Sequence, residues 1–153
     1  MQAHPAGPRH AQMAQESHAP IPTSDPVQSH VWPHSAERAD SGELRIGGQG
    51  VVSLAAEYGT PLFIFDEQDV RQRAREFASA YLADNENGTV YYAAKAFLSV
   101  AAARWVAEEG LGIDVASGGE LAIVIRAGIP GDKLLMHGNN KSQGEIRSAL
   151  VYG

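Results

Sequence analysis

A lysine stands alone in an apolar run. The stretch VYYAAKAF, Val90 to Phe97, sets Lys95 among a valine, two tyrosines, three alanines and a phenylalanine. An amine in that position has two readings. A strand-end lysine can lay its stem along apolar surface and keep its head in water. Alternatively, an apolar setting makes it a competent amine nucleophile for a carbonyl, forming a Schiff base. Asp114 lies inside a second apolar run, Gly112-Ile113-Asp114-Val115-Ala116. A buried carboxylate needs a partner, so Asp114 either pairs with a cation or positions a catalytic group. His137 closes a third run, KLLMHG, and is followed by Asn139, Asn140 and Lys141. A lone histidine near a strand end is often a satisfied core residue, but this much polarity after a buried strand points to ligand contact.

These three residues matter together only if the elements around them converge. From Thr60 onward the chain is rhythmic. PLFIFD, Pro61 to Asp66, is a strand signal, and Asp66 is placed to N-cap a helix in which Val70, Ala74, Phe77, Ala78 and Tyr81 recur at helical spacing. Asn85 to Gly88 is a turn. Val90 to Ala96 is the next strand, followed by an alanine-rich helix over Ser99 to Glu109 that stops at Gly110. LGIDVAS, Leu111 to Ser117, is a third strand. Ser117-Gly118-Gly119-Glu120 has capping-box spacing and opens a helix to Ala127. KLLMHG, Lys133 to Gly138, is a fourth strand, and Ser142-Gln143-Gly144-Glu145 opens a further helix.

Strand and helix in alternation, with short polar connections, make βα units on a parallel sheet, either a barrel or a doubly wound fold. Function in such sheets gathers at the C-terminal strand ends. Lys95, Asp114 with Ser117, and His137 with its polar neighbours all lie at such ends, on three successive strands. The turn Ser117-Gly118-Gly119 suits an anion at a helix start, though a simple helix cap is the plainer reading. Gly110-Leu111-Gly112 lacks the third glycine and the preceding strand of a dinucleotide fingerprint. Three or four βα units are fewer than the eight of a closed barrel, so the chain reads as the front part of something longer.

The rest of the chain is of a different material. Six of the eight prolines and five of the six histidines fall within Met1 to Gly42. Residues 1–29, rich in Ala, Pro, His and Gln, are expected to be a disordered tail. Residues 30–60 form a lead-in segment with an apolar anchor at Val31-Trp32-Pro33 and a helical pattern from Val51 to Tyr58. The irregular spacing of His4, His10, His18, His30 and His34 argues against a metal site. A net charge of −6 with no Lys/Arg cluster argues against a nucleic-acid partner. The chain has no cysteine, hence no disulfide framework or thiolate chemistry. No apolar run is long enough for a membrane span and no signal peptide is legible, so the expected location is cytoplasmic.

The motifs YGTPLFIFD, YYAAKAF, GLGIDVASGGEL and LLMHGNNKS, in this order and spacing, resemble the N-terminal part of the diaminopimelate decarboxylases. These belong to the alanine-racemase-like group of pyridoxal-phosphate enzymes. The resemblance runs from about Val31 to Gly153. HGNNKS points to this family rather than to ornithine decarboxylases, and Ala96-Phe97 after the lysine departs from alanine racemases. The resemblance implies that Lys95 carries pyridoxal phosphate covalently, and that Asp114 and His137 line the cofactor pocket. It implies a carboxy-lyase of lysine biosynthesis that takes a small amino-acid substrate and works as a homodimer. It implies too that residues 61–153 are the N-terminal part of a cofactor-binding β/α barrel, with the strand at Leu62 to Phe65 on the side of a second, β-rich domain. The family's ring-stacking histidine, glycine-rich phosphate loop and acidic partner of the pyridine nitrogen would lie downstream. So would its substrate-binding residues and the cysteine contributed across the dimer. The 153-residue chain alone is therefore expected to be inactive and of doubtful stability. Related decarboxylases of other basic amino acids, and a non-catalytic cofactor-binding or regulatory protein, are the alternative readings.

Overall fold

The computed structural model of the chain describes residues 31–83, 85 and 87–153. The tail expected over residues 1–29, with His4, His10, His18 and His30, lies outside them. Three short strands come first: β1 (Glu37–Arg38), β2 (Leu44–Ile46) and β3 (Gln49–Gly50). They form an antiparallel sheet in which Arg45 pairs with both Glu37 and Gly50. Helix α1 (Val51–Tyr58) follows at the expected place, and Gly59 ends it.

The main sheet is parallel, in the order β4 (Tyr91–Ala93), β5 (Gly112–Val115), β6 (Leu134–Met136). Helices α2 (Glu67–Leu82), α3 (Val100–Glu108), α4 (Gly118–Ala127) and α5 (Gln143–Tyr152) alternate with these strands. The βα rhythm read from the sequence is therefore the observed topology. Its helix starts are chemical. Asp66 accepts from the backbone N–H of Gln68 (2.9 Å) and Asp69 (3.4 Å) at the head of α2. Ser99, Ser117 and Ser142 cap α3, α4 and α5 through Ala102, Glu120 and Glu145. Each such cap satisfies backbone donors that the first helical turn leaves without partners.

The returns from helix to strand share one device. Gly110 and Gly128 take positive φ, +90° and +77°. After α3, Gly110 N donates to Ala107 O and Leu111 N to Val106 O; after α4, Gly128 N donates to Ile125 O and Ile129 N to Val124 O. These are Schellman turns. Each folds a buried residue (Leu111, Ile129) onto a buried helix residue (Val106, Val124), so the turn and the core reinforce one another.

Register divides the sheet into two faces. Tyr92, Ile113 and Leu134 stand side by side on one face, and Ala93, Asp114 and Leu135 on the other. The first face packs under the helices. Ile113 and Val115 are fully buried with Ala74, Ala103, Val106, Leu121 and Val124, and Tyr92, Leu134 and Met136 pack against that cluster. The second face leaves Tyr91 and Leu135 exposed.

Three sequence expectations need correction. Leu62 to Phe65 forms no strand, and Leu62, Phe63 and Phe65 are exposed. Its apolar composition suits a sheet, yet no described segment pairs with its backbone, and a strand exists only through its ladder. The strand expected over Val90 to Ala96 stops at Ala93, and Ala94–Ala96 forms a 3-10 turn. The strand expected over Lys133 to Gly138 is Leu134–Met136, since Lys133 belongs to the 3-10 turn Gly131–Lys133.

Candidate active site at the strand ends

All three candidate residues lie at the C-terminal edge of the parallel sheet. Lys95 is on the 3-10 turn two residues beyond Ala93, the residue that pairs with Asp114. Asp114 is the third residue of β5. His137 directly follows β6, and its N–H donates to Val115 O (2.9 Å), carrying the ladder one step further. Three successive strands thus deliver an amine, a carboxylate and an imidazole to one edge.

Asp114 Oδ2 lies 3.1 Å from His137 Nδ1, and Lys95 is not its ion-pair partner. An ionised carboxylate only accepts, so the imidazole donates there through Nδ1–H and leaves Nε2 as its free ring nitrogen. His137 is no core histidine: its side chain is 66% exposed. Lys95 is exposed as well, so the apolar run around it does not bury its ammonium. The run instead supplies Ala94, 2% exposed, which pins the turn to the core while the lysine stem points away.

Asp114 carries the informative defect. Its Oδ1 is shielded from solvent and accepts no hydrogen bond among the described residues. A shielded carboxylate oxygen without a donor costs free energy, on the order of 1–3 kcal/mol. An arriving donor or cation would relieve that cost. The sheet face beside it carries Tyr91, Ala93 and Leu135 and is largely apolar. An accessible amine, an acceptor in want of a donor and an apolar floor suit a planar aromatic group that bears an aldehyde and a polar ring. Pyridoxal phosphate is such a group, and the residues present fit it.

The β5–α4 turn resolves against a free anion site. Gly118 N, at the start of α4, donates to Glu145 Oε1 (2.8 Å), while Glu145 Oε2 accepts from Ser142 N (2.8 Å) and Ser142 Oγ (2.8 Å). One carboxylate therefore serves two helix starts. The Ser142 backbone and hydroxyl, then Gly118 N–H, hold the Glu145 carboxyl down at about 2. The capping box at Ser142 was legible in sequence; the reach of Glu145 to the neighbouring helix was not. Glu120 likewise turns back to accept from Ala116 N (2.5 Å) instead of closing its own box.

Two further contacts around Lys95 had no signal in the sequence. Tyr92 Oη donates to Phe97 O (2.6 Å), and the Phe97 ring stacks on Phe65, centroids 3.7 Å apart with planes at 16°. Farther away, Asp69 accepts from His34 N and Arg73 Nε and lies 2.6 Å from His34 Nδ1, fastening the lead-in to α2. Burial pushes that carboxyl up, but the Arg73 and His34 donors outweigh it and leave it below its ordinary value. His34 is thereby engaged by the Asp69 carboxylate, and no group of three or more metal-ligating side chains occurs among the described residues.

Residues 67–153 match the family model described as the pyridoxal-dependent decarboxylase, pyridoxal binding domain. The chain belongs to the pyridoxal-dependent decarboxylases. It is 46% identical to a diaminopimelate decarboxylase of Mycobacterium leprae, over all of this chain and 33% of that protein. It is 45% identical to one from Bacillus subtilis, over 78% of this chain and 27% of the relative. The chain thus spans between about a quarter and a third of the length of the curated relatives it matches. Among solved structures, the diaminopimelate decarboxylase of M. jannaschii in complex with L-lysine superposes with a TM-score of 0.68 at 30% identity, covering 78% of this chain and 28% of that one. A lysine/ornithine decarboxylase from Vibrio vulnificus with putrescine gives 0.60 at 30% identity, covering 67% and 27%. The three parallel βα units are accordingly part of the family's β/α barrel, as the sequence led one to expect. Pyridoxal phosphate is the cofactor of this family. Among the described residues, no helix is long and apolar enough to cross a membrane.

Proposed function

We propose that this chain is the N-terminal part of a pyridoxal-phosphate-dependent diaminopimelate decarboxylase, converting meso-diaminopimelate to L-lysine and carbon dioxide, and that Lys95 is its catalytic lysine. Residues 30–60 are then the lead-in, and residues 61–153 the first part of the barrel. The observation that carries the reading is the meeting of Lys95, Asp114 and His137 at one sheet edge, with an acceptor oxygen of Asp114 left open.

Each side chain has a task that follows from its setting. The exposed Lys95 amine would hold the cofactor by condensing with its aldehyde with loss of water, and the buried Ala94 beside it fixes where that amine starts. Asp114 offers its open Oδ1 to a donor or positive charge on the bound group, while Oδ2 keeps the His137 ring in place. His137, mostly in solvent, closes the edge with Nε2 turned to no partner among the described residues. Pyridoxal phosphate, when bound, supplies the electron sink that lets an α-carboxylate leave as carbon dioxide. The chain's own contribution is to fix the amine and to keep one acidic group on the cofactor side of the sheet.

A cytoplasmic homodimer acting on a small amino acid is the setting that goes with this reading. The likeness to a lysine/ornithine decarboxylase supports a second reading, a decarboxylase of another basic amino acid.

The first test is capture. The chain is incubated with pyridoxal phosphate, reduced with borohydride and mapped by mass spectrometry. The cofactor's mass is expected on Lys95 and absent in Lys95→Ala. Equal labelling of Lys95 and surface lysines such as Lys133 would remove the basis for the assignment. Substrate is read in the full-length protein, where carbon dioxide release from meso-diaminopimelate should exceed release from ornithine, arginine or lysine. Preference for ornithine would favour the second reading.

A further inference from the structure

We propose that Tyr92 is a positioning residue for Lys95, its phenol holding the 3-10 turn on which the amine stands. The inference rests on Lys95 being the lysine that carries the cofactor. Tyr92 is on the helix-facing side of β4, half-buried against the core cluster. From there its Oη donates to the Phe97 carbonyl at 2.6 Å. That bond joins the residue three before Lys95 to the residue two after it, and the Ala94–Ala96 turn is the span between.

A single 3-10 turn has few hydrogen bonds of its own and poor geometry in those it has. External contacts therefore decide how its middle residue is presented. Three act here. Ala94 is buried in the core, Tyr92 grips the Phe97 carbonyl from the helix side, and the Phe97 ring stacks on Phe65. Tyr92 makes the one directional contact among these. Burial raises its phenol above the ordinary value, so it stays protonated and donating at neutral pH. A lysine side chain is long and flexible, so what the fold can set is the place and orientation of its backbone. Tyr92 does this from the opposite face of the sheet, without touching the cofactor's side.

Tyr92→Phe removes the hydroxyl and keeps the ring. Tyr152→Phe is the matched control, because Tyr152 Oη also donates to a backbone carbonyl, that of Ile129 at 2.7 Å, far from the lysine turn. Two measurements are made on the full-length protein freed of cofactor: amide hydrogen exchange over residues 94–97, and the rate of pyridoxal-phosphate capture on Lys95 as a function of cofactor concentration. In Tyr92→Phe, exchange at the turn should rise and the saturating capture rate fall, each roughly fivefold, the scale of one hydrogen bond. The half-saturating concentration should stay in place. Tyr152→Phe should lose similar thermal stability and move neither readout. An unchanged saturating rate in Tyr92→Phe, or an equal fall in Tyr152→Phe, overturns the proposal. Should wild-type Lys95 fail to capture the cofactor at all, the reading of Lys95 falls. In that case hydrogen exchange alone decides whether Tyr92 braces the turn, and unchanged exchange overturns that as well.

Discussion

Replacing Ile113 tests the two-faced sheet on which the site depends. Ile113 is the middle of the central strand, fully buried, between Tyr92 and Leu134 on the helix side. Trimming it to alanine removes three carbon groups. At about 0.8 kcal/mol for each buried methylene the transfer loss is about 2.4 kcal/mol. The cavity left among packed neighbours brings the total to about 3–4 kcal/mol, inside the range of about 2–5 for such changes. Ile113→Val removes one group and should cost about 1 kcal/mol. Leu135 is one register row away on the opposite face and 46% exposed. Leu135→Ala forfeits only the buried half of its transfer term and opens no enclosed cavity, so about 1 kcal/mol is expected. Urea unfolding followed by far-UV circular dichroism and by tryptophan fluorescence gives the three values, with the slope in denaturant unchanged if only the folded core is altered. Domains of this size are stable by only about 5–15 kcal/mol, so the alanine variant should show a large midpoint shift. If Ile113→Ala costs no more than Leu135→Ala, the assignment of faces is wrong, and with it the placing of Asp114 opposite the core.

Other expectations follow from single contacts. The Glu145 carboxyl, held at about 2 against an ordinary 4.5, contributes stability that is present above 4.5 and lost as pH falls towards 2; Glu145→Gln should flatten the wild-type loss of stability in that window, as read by thermal melts across pH. Gly128→Ala forces a Cβ into positive φ at the turn after α4 and should cost about 1 kcal/mol in urea unfolding. Asp114→Ala deletes a shielded oxygen without a donor together with the Oδ2 contact to the exposed His137, so stability should fall by no more than about 1 kcal/mol while cofactor capture at Lys95 weakens; a large loss of stability with capture intact would reverse that assignment.

Much of the frame was open to reading in one dimension. Helix caps, glycine stops and apolar spacing are local, because each works through residues within a few positions of one another; α1 to α5 accordingly lie where the pattern puts them. The order of the motifs carried the family. Strand limits were less legible, because a ladder needs a partner at a set distance and register. Leu62 to Phe65 has the composition of a strand and no partner, while β4 gives way at Ala93 to a turn that composition does not announce.

For the site, residue order alone puts Lys95, Asp114 and His137 at the ends of strands. How they stand to one another comes from the fold. It paired Asp114 with His137 across two strands, left Oδ1 open, put Lys95 on an exposed turn and tied that turn to Tyr92 and Phe65. The physical reason is that hydrogen bonds and ring stacking depend on ångström-scale placement across elements. Neighbours such as Gly118 and Glu145, or Phe65 and Phe97, meet only after the helices have packed on the sheet.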